Sequence, residues 1–437
     1  MEVVPIGGYE EVGRNMTWVR DGDDSIIIDM GIRLDRVLIH EDTDISKLSQ
    51  EELVRRGIIP DDTVIKEKVK AIILSHGHLD HLGAVTLLAS KYNAPVVGTP
   101  YTLELVKREL RHTRPKKKLD LQVLNEGESL YVSENMEVEF IRVTHSIPQS
   151  SLVAVHTDNG TLVYANDFKL DDHPVIGAKP NYKRLKKLGR SGVKGLIVET
   201  TRINNEGRTP SESIAKRLIE DSLTKTDNRK GLVVTTFSSH ISRIKSITRM
   251  ASVINRTPVL LGRSMEKYVS IAEELGIIEL PDDAHLYGDR KAIKKILGRI
   301  VNDGKEKYLL VVTGHQGEPD ALLSKIAGKK LPYRVNKGDQ VIFSADVIPN
   351  PINVANRYAM ETKLKMQGAR LFKGNHVSGH AAKEDHRDLI KLLQPEMIIP
   401  CHGDLRMLAS YAELAEDEGY ALNRDLFLVR NGQIVRL

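Results

Sequence analysis

The run Ser75-His76-Gly77-His78-Leu79-Asp80-His81 crowds three imidazoles and a carboxylate into six residues. Imidazole suits zinc and other borderline divalent ions, and a carboxylate can bridge or support a second ion. The run follows an apolar stretch, Val69 to Leu74, that reads as a buried strand, and precedes a helical pattern beginning near Leu82. In a loop, alternate side chains can point to different ions. His76 and His78 are therefore expected to face one metal, and Asp80 and His81 its neighbour. Histidines on a surface loop need no ligand role, but a cluster this dense at a strand-to-helix turn points to a metal site.

More candidates stand at the ends of apolar runs. Asp29 closes Ser25 to Met30 (SIIIDM), His145 follows Ile141 to Thr144, Asp167 follows Thr161 to Asn166, and His402 follows Ile398-Ile399-Pro400. Each is weak alone, and an Asp closing a strand is more often a turn former. Together, beside a His-rich loop, they are what a dinuclear site at one edge of a sheet needs.

The elements that must position these residues read as an α/β chain. The first third has short strands at Ser25 to Met30, Val69 to Leu74, Ala94 to Val97 and Met136 to Val143, with helices at Leu82 to Lys91 and Thr102 to Arg111. From about residue 209 to 326 strand–helix units repeat: Gly231 to Phe237, Ile241 to Ile254, Val259 to Gly262, Met265 to Leu275. That alternation predicts a parallel sheet with crossover helices. Near the end, a helix over Lys383 to Leu393, a strand over Met397 to Pro400 and a helix over Leu405 to Glu418 are expected.

A length of 437 residues predicts two or three domains. With 41% hydrophobic and 28% charged residues the chain can bury a sizeable core. Only 5% is aromatic, so base-stacking platforms will be few. The net charge of +5 permits a polyanionic partner without requiring one. A single cysteine, Cys401, excludes an intrachain disulfide and fits a reducing compartment. Residues 1–8 do not read as a leader, and no run approaches the roughly 18 apolar residues of a membrane span. A cytoplasmic chain without a membrane partner is expected.

In chain order, Asp29, the HxHxDH run of His76 to His81, His145 and Asp167 resemble the metallo-β-lactamase superfamily. Glu199 in LIVET, His380 in HVSGH and His402 in PCHGD look like motifs A, B and C of its nucleic-acid-processing β-CASP branch. Within that branch, Ile6 to Met16 (IGGYEEVGRNM), Thr313 to Pro319 (TGHQGEP) and His376 to His380 are similar to the ribonuclease J family in its shorter, archaeal form. HxHxDH alone specifies only the superfamily; the combination is more specific. Asn166 departs from the Gly that family members often carry before this Asp.

The resemblance implies an α/β fold: a metallo-β-lactamase αββα sandwich over 1–207 and 370–437, with an α/β β-CASP domain inserted at 208–369. It implies two divalent ions, zinc with manganese as the alternative. One would sit on His76, His78, His145 and Asp167, the other on Asp80, His81, Asp167 and His402, with Asp167 shared. Asp29 would orient a ligand imidazole through a hydrogen bond. Asp80, Glu199 and His380 would be the catalytic residues, with His380 as general acid and Glu199 favouring its cation. His376, Val377, Ser378 and Gly379, with His380, would hold a substrate phosphate. Ser238, Ser239 and His240 would add substrate contacts, although serines at a strand end are also ordinary helix N-caps.

The expected activity is hydrolysis of RNA phosphodiesters, 5′-to-3′ from a 5′-monophosphate end, in RNA decay and maturation. An endoribonuclease of the same branch and a non-catalytic RNA-binding subunit are the alternatives. RNA is the expected partner and a homodimer the expected assembly. The basic runs Lys107 to Lys118 and Lys183 to Lys194 are consistent with RNA, though a solvated face is the commoner use of such runs.

Overall fold

A computed structural model of the chain describes residues 1–39, 48–111, 118–348 and 350–437. It divides into two compact units.

The first unit is built on two sheets whose strands are apolar on both faces. Along Ser151–Thr157, Val153 and Val155 join a core with Val19, Ile26 and Ile73 of the other sheet, while Leu152 and Ala154 join a second core with the helical residues Leu185, Leu389 and Tyr411. This period of two makes the strand run hydrophobic throughout, since each face is covered. Helix Pro100–Leu110 packs on Val96–Gly98 and Leu121–Val123, and buries Tyr101, Leu103, Leu105 and Val106. Helices Tyr182–Ser191, Lys383–Leu393 and Leu405–Asp417 supply the layer on the other sheet. The layering is α, β, β, α, as expected.

The first sheet runs Val435–Arg436, Glu2–Gly7, Met16–Asp21, Asp24–Ile28, Ala71–Ile73, Val96–Gly98, Leu121–Val123. The second runs Met397–Cys401, Gly195–Glu199, Gly160–Ala165, Ser151–Thr157, Met136–Arg142, Ser129–Tyr131. The end of the chain completes both: Val435–Arg436 lies antiparallel to Glu2–Gly7, and Met397–Cys401 lies parallel to Gly195–Glu199. The unit is therefore discontinuous, comprising Met1–Asp172, Ala178–Thr209 and Gly379–Leu437.

The second unit, His173–Gly177 and Pro210–Ser378, holds one six-stranded sheet in which every pairing is parallel. The strand–helix alternation expected over 209–326 is present, and Arg370–Phe372 adds an edge strand beside Gln340–Phe343. A fully buried Arg243 forms a two-pronged ion pair with Glu212 (2.7 and 2.8 Å) and ties helix Ile241–Val253 to helix Glu212–Thr224.

One expected element is replaced. The pattern over 82–91 is not a single helix starting near Leu82. A short helix, Leu79–Leu82, is followed by Val85–Leu88 and a 3-10 turn, Ala89–Lys91. The cause is tertiary. The carbonyls of Leu79 and His81 accept from Ile32 N–H (3.0 Å) and Met30 N–H (2.7 Å), and Ala84 N–H turns to Met30 O (2.8 Å). At Gly83 a Cβ would lie 2.5 Å from Leu79 O and 2.8 Å from Ile32, so only glycine fits that crossing.

Of the basic run at 107–118, residues 112–117 lie outside the described residues. In the other run, Lys183, Lys186, Lys187 and Arg190 form an exposed face of helix Tyr182–Ser191, with Leu185 and Leu188 buried beneath. Among the described residues no helix is long and apolar enough to cross a membrane.

Candidate metal centre

Strand ends place the candidate ligands, and three do so by an abrupt turn of the backbone. Asp29 (φ 62°), Asp167 (φ 53°) and His402 (φ 49°) all adopt the left-handed region immediately or shortly after a strand. That conformation is uncommon for residues with a Cβ and costs roughly 1–3 kcal/mol, so the surroundings must over-determine it. They do: Asp29 N–H donates to Ile73 O (2.8 Å), and His402 N–H to Gly8 O (2.6 Å). Asp80 and His81 come from the first turn of Leu79–Leu82 rather than from a loop, with His78 at the N-cap.

These residues converge into two groups that share Asp167: His76, His78, His145 and Asp167, then Asp80, His81, Asp167 and His402. In the first, His78 Nδ1 lies 3.2 Å from His76 Nε2 and 3.1 Å from His145 Nε2. Asp167 Oδ2 is 3.4 Å from both of those Nε2 atoms. In the second, His402 Nε2 lies 3.4 Å from Asp167 Oδ1 and 3.6 Å from Asp80 Oδ2, and His81 Nε2 lies 3.5 Å from Asp167 Oδ2. Nitrogens held by one tetrahedral divalent ion at about 2.0–2.1 Å sit about 3.3 Å apart, which these spacings match.

The outer nitrogens set the tautomers. Asp29 accepts His81 Nδ1–H (2.8 Å), Ser75 N–H (2.8 Å), Ser75 Oγ–H (2.8 Å) and Tyr164 O–H (3.0 Å). Because Ser75 gives its proton to Asp29, its oxygen accepts from His76 Nδ1 (3.0 Å). Gly379 O accepts from His145 Nδ1 (2.8 Å), and Asn15 Oδ1 from His402 Nδ1 (2.9 Å). Each of these four imidazoles thus turns a bare Nε2 inward, the form a metal requires.

Electrostatics agree. Burial and the neighbouring His81 push His76 down to about 4, and burial also lowers His145 and His402, so these rings are neutral. Burial would lower His81 too, but Asp167, Asp29 and Asp80 outweigh it and raise it well above the usual range. Asp167, which burial alone would raise, is held well below the usual carboxylate range by His81 and His402. The carboxylate field that raises His81 also favours a divalent cation in place of that proton. Asp167 Oδ1 is buried without a hydrogen-bond partner, an expensive state for a carboxylate oxygen that a cation would relieve. The donor set fits divalent ions.

Beside this lies a third group of Asp167, Glu199 and His380. Glu199 is fully buried, accepts Phe168 N–H (2.9 Å) and Thr201 O–H, and takes His380 Nδ1–H at 2.8 Å. Against burial, Glu199 and Asp167 raise His380 to about 9.

Comparison with known proteins joins this geometry to a family. Residues 9–197 match the metallo-beta-lactamase superfamily, 229–360 the ribonuclease J beta-CASP domain, and 368–424 the Zn-dependent metallo-hydrolase RNA specificity domain. Ribonuclease J of Methanocaldococcus jannaschii is 58% identical over 99% of this chain and 98% of its own. This chain belongs to the ribonuclease J family. The ribonuclease J of Pyrococcus abyssi is 50% identical over 100% of this chain and 97% of that one, and that of Synechocystis 31% over 100% and 66%. A structure titled as a protein of unknown function from Enterococcus faecalis shares the fold (TM-score 0.67, 17% identity, covering 100% of this chain and 99% of that one). As a ribonuclease J family member, the protein is a metal-dependent hydrolase that cleaves RNA, which excludes the non-catalytic alternative.

The remaining candidates fall elsewhere. In the second unit, His376 Nδ1 lies 3.4 Å from Arg243 Nη1, and Val377 O accepts from Arg243 Nη2 (3.3 Å). Ser378 is buried, Ser238 and Ser239 are half-buried, and His240 is buried with Nε2 3.3 Å from Glu212. His240, not a serine, occupies the N-cap of Ile241–Val253. Gly379 is in the first unit, where a Cβ would meet Ser146 at 2.8 Å and His145 Nδ1 at 3.0 Å. Sequence reasoning missed Ser75, Tyr164 and the hydrogen-bonding part of Asn15 and Asn166. Only Ser75, next to the histidine run, carried a local signal.

Proposed function

We propose that this ribonuclease J family member is a two-metal 5′-to-3′ exoribonuclease that prefers 5′-monophosphate ends. The observation that carries the two-ion reading is that both groups share Asp167: its Oδ2 lies 3.4 Å from His76 and His145 and 3.5 Å from His81, and its Oδ1 lies 3.4 Å from His402. The two compact units are read as the nuclease domain and its β-CASP insertion. Zinc fits a site of His and Asp without Cys, with manganese as the alternative. We read the location as cytoplasmic from the single cysteine, Cys401, and the homodimer from the family resemblance.

Bound at the two groups, divalent ions would supply charge to neutralise phosphate oxygens and lower the pKa of an attacking water. His76, His78, His145 and Asp167 would hold one ion, and Asp80, His81, Asp167 and His402 the other. Asp29 orients His81 directly and His76 through Ser75. Glu199 keeps His380 as the imidazolium by accepting its Nδ1–H, which leaves Nε2–H to protonate the departing 3′-oxygen. The loop at His376, Val377, Ser378 and Gly379 is read as the phosphate-binding segment, and Ser238, Ser239 and His240 as further substrate contacts.

The test is a time course on 5′-labelled RNA carrying either a monophosphate or a triphosphate, with zinc or manganese. Immediate release of labelled mononucleotide, faster from the monophosphate, is expected. Discrete labelled fragments indifferent to the 5′ group would make the protein an endoribonuclease instead.

A further inference from the structure

We infer that Asn15 is a positioning residue for the second metal group, and that Gly8 provides the space its amide occupies. The inference rests on the two-ion reading above. Asn15 is 1% exposed and tied down along its backbone: its N–H donates to Asp80 O (2.9 Å) and its carbonyl accepts Gly31 N–H (2.9 Å). Its side-chain Oδ1 accepts His402 Nδ1–H (2.9 Å) and Asn166 Nδ2–H (3.2 Å). Nδ2 donates to Asp80 O (3.1 Å) and lies 3.1 Å from His81 Nε2. One amide therefore links His402 to the backbone of Asp80, with its nitrogen beside the His81 Nε2 that faces the ion site.

The direction of these bonds is fixed. Tyr164 gives its proton to Asp29 (3.0 Å), so its oxygen accepts from Asn166 Nδ2 (2.8 Å), and that nitrogen's second proton goes to Asn15 Oδ1. Turning the Asn15 amide over would oppose the Asn166 N–H and set oxygen against the Asp80 carbonyl. His402 is left to donate from Nδ1 and to present Nε2 bare. The Gly13 N–H is farther from that Nδ1, at 3.4 Å. Asn166 thus links His402, through Asn15 and Tyr164, to Asp29, which orients His81 directly and His76 through Ser75.

Gly8 supplies a separate line of support. Its φ is +89°, and a Cβ there would lie 2.3 Å from Asn15 Oδ1. Its carbonyl accepts His402 N–H (2.6 Å). The GGYEEVGRN segment, whose chemistry the sequence left open, is read as a brace for His402.

The test is zinc stoichiometry and affinity, by chelator competition, on the full chain and its Asn15→Ala and Asn15→Asp variants. Wild type is expected to hold two ions. Asn15→Ala should keep one and bind the second about 10–100-fold more weakly. Asn15→Asp retains an acceptor for His402 and should recover most of that loss; cobalt-loaded samples should show the same order in their absorption bands. An Asn15→Ala protein that holds both ions as tightly as wild type, or equal weakening in both variants, overturns the inference alone. If Asn15→Ala fails to fold, Asn15→Asp decides: a second ion held within about tenfold of wild type supports the role, and its loss overturns it. Fewer than two ions in wild type overturns the two-ion reading and this inference with it.

Discussion

At the scale of single residues, the site is a set of bare imidazole nitrogens aimed at one carboxylate, and the outer hydrogen bonds are what keep them bare. Asp29→Asn replaces an anion that accepts four hydrogen bonds. It should weaken metal binding about 10–100-fold by chelator competition, with the fold kept by circular dichroism. His380 is different, because its partner is Glu199. His380→Ala should lower cleavage about 10²–10⁴-fold with the metal content unchanged. Its pKa is raised from 6.5 to about 9, so the cation's stabilisation is complete below the ordinary histidine value and is lost as pH rises through about 9. The rate at saturating RNA should fall over that window. Glu199→Gln removes the main favourable charge, and its pH–rate profile should turn down at lower pH. A limb that stays in place would remove Glu199 from this role.

Among elements, the second unit depends on a buried charge pair in a way its strands do not reveal. Arg243 is fully buried and joins Glu212 to Ser344 Oγ and to the carbonyls of Asn375 and Val377. Glu212 is held far below its usual range; burial opposes this, and His240 and Arg243 bring it about. Arg243→Met removes the two-pronged partner of the buried Glu212 carboxylate and should cost about 3–5 kcal/mol, read by urea unfolding. In the first unit the equivalent weak point is glycine. At Gly31 a Cβ would lie 1.6 Å from Asp80 O, within the crossing that holds the metal-bearing turn to the strand-end segment.

For the whole molecule, the first unit is closed by its own chain end, since Met397–Cys401 and Val435–Arg436 complete the two sheets and His402 follows the first of them. The proposed ligand set would therefore couple metal binding to folding across hundreds of residues of sequence. A ligand at a thousand times its Kd stabilises by about 4 kcal/mol. Removing divalent ions with a chelator should lower the melting temperature, and zinc should restore it. An unchanged melting temperature in a chelated, metal-free sample would mean that the crowded ligands add nothing to stability.

What the sequence determined by itself was local or covalent: the HxHxDH cluster, the polar residues closing apolar strands, and the strand–helix alternation of the parallel sheet. Ligand type and strand periodicity are written in adjacent residues, so Asp29, His145, Asp167 and His402 could be picked out one by one. The start of the helix at Leu79 was not legible. The carbonyls that end it are captured by Met30 and Ile32, some fifty residues earlier, and no local propensity records that. Nor could spacing show that Asp29 serves two histidines, or that Asn15 stands against His402 across 387 positions. A side chain's type says which bonds it can make; which partner it meets is set only when sheet and turn bring the two within about 3 Å.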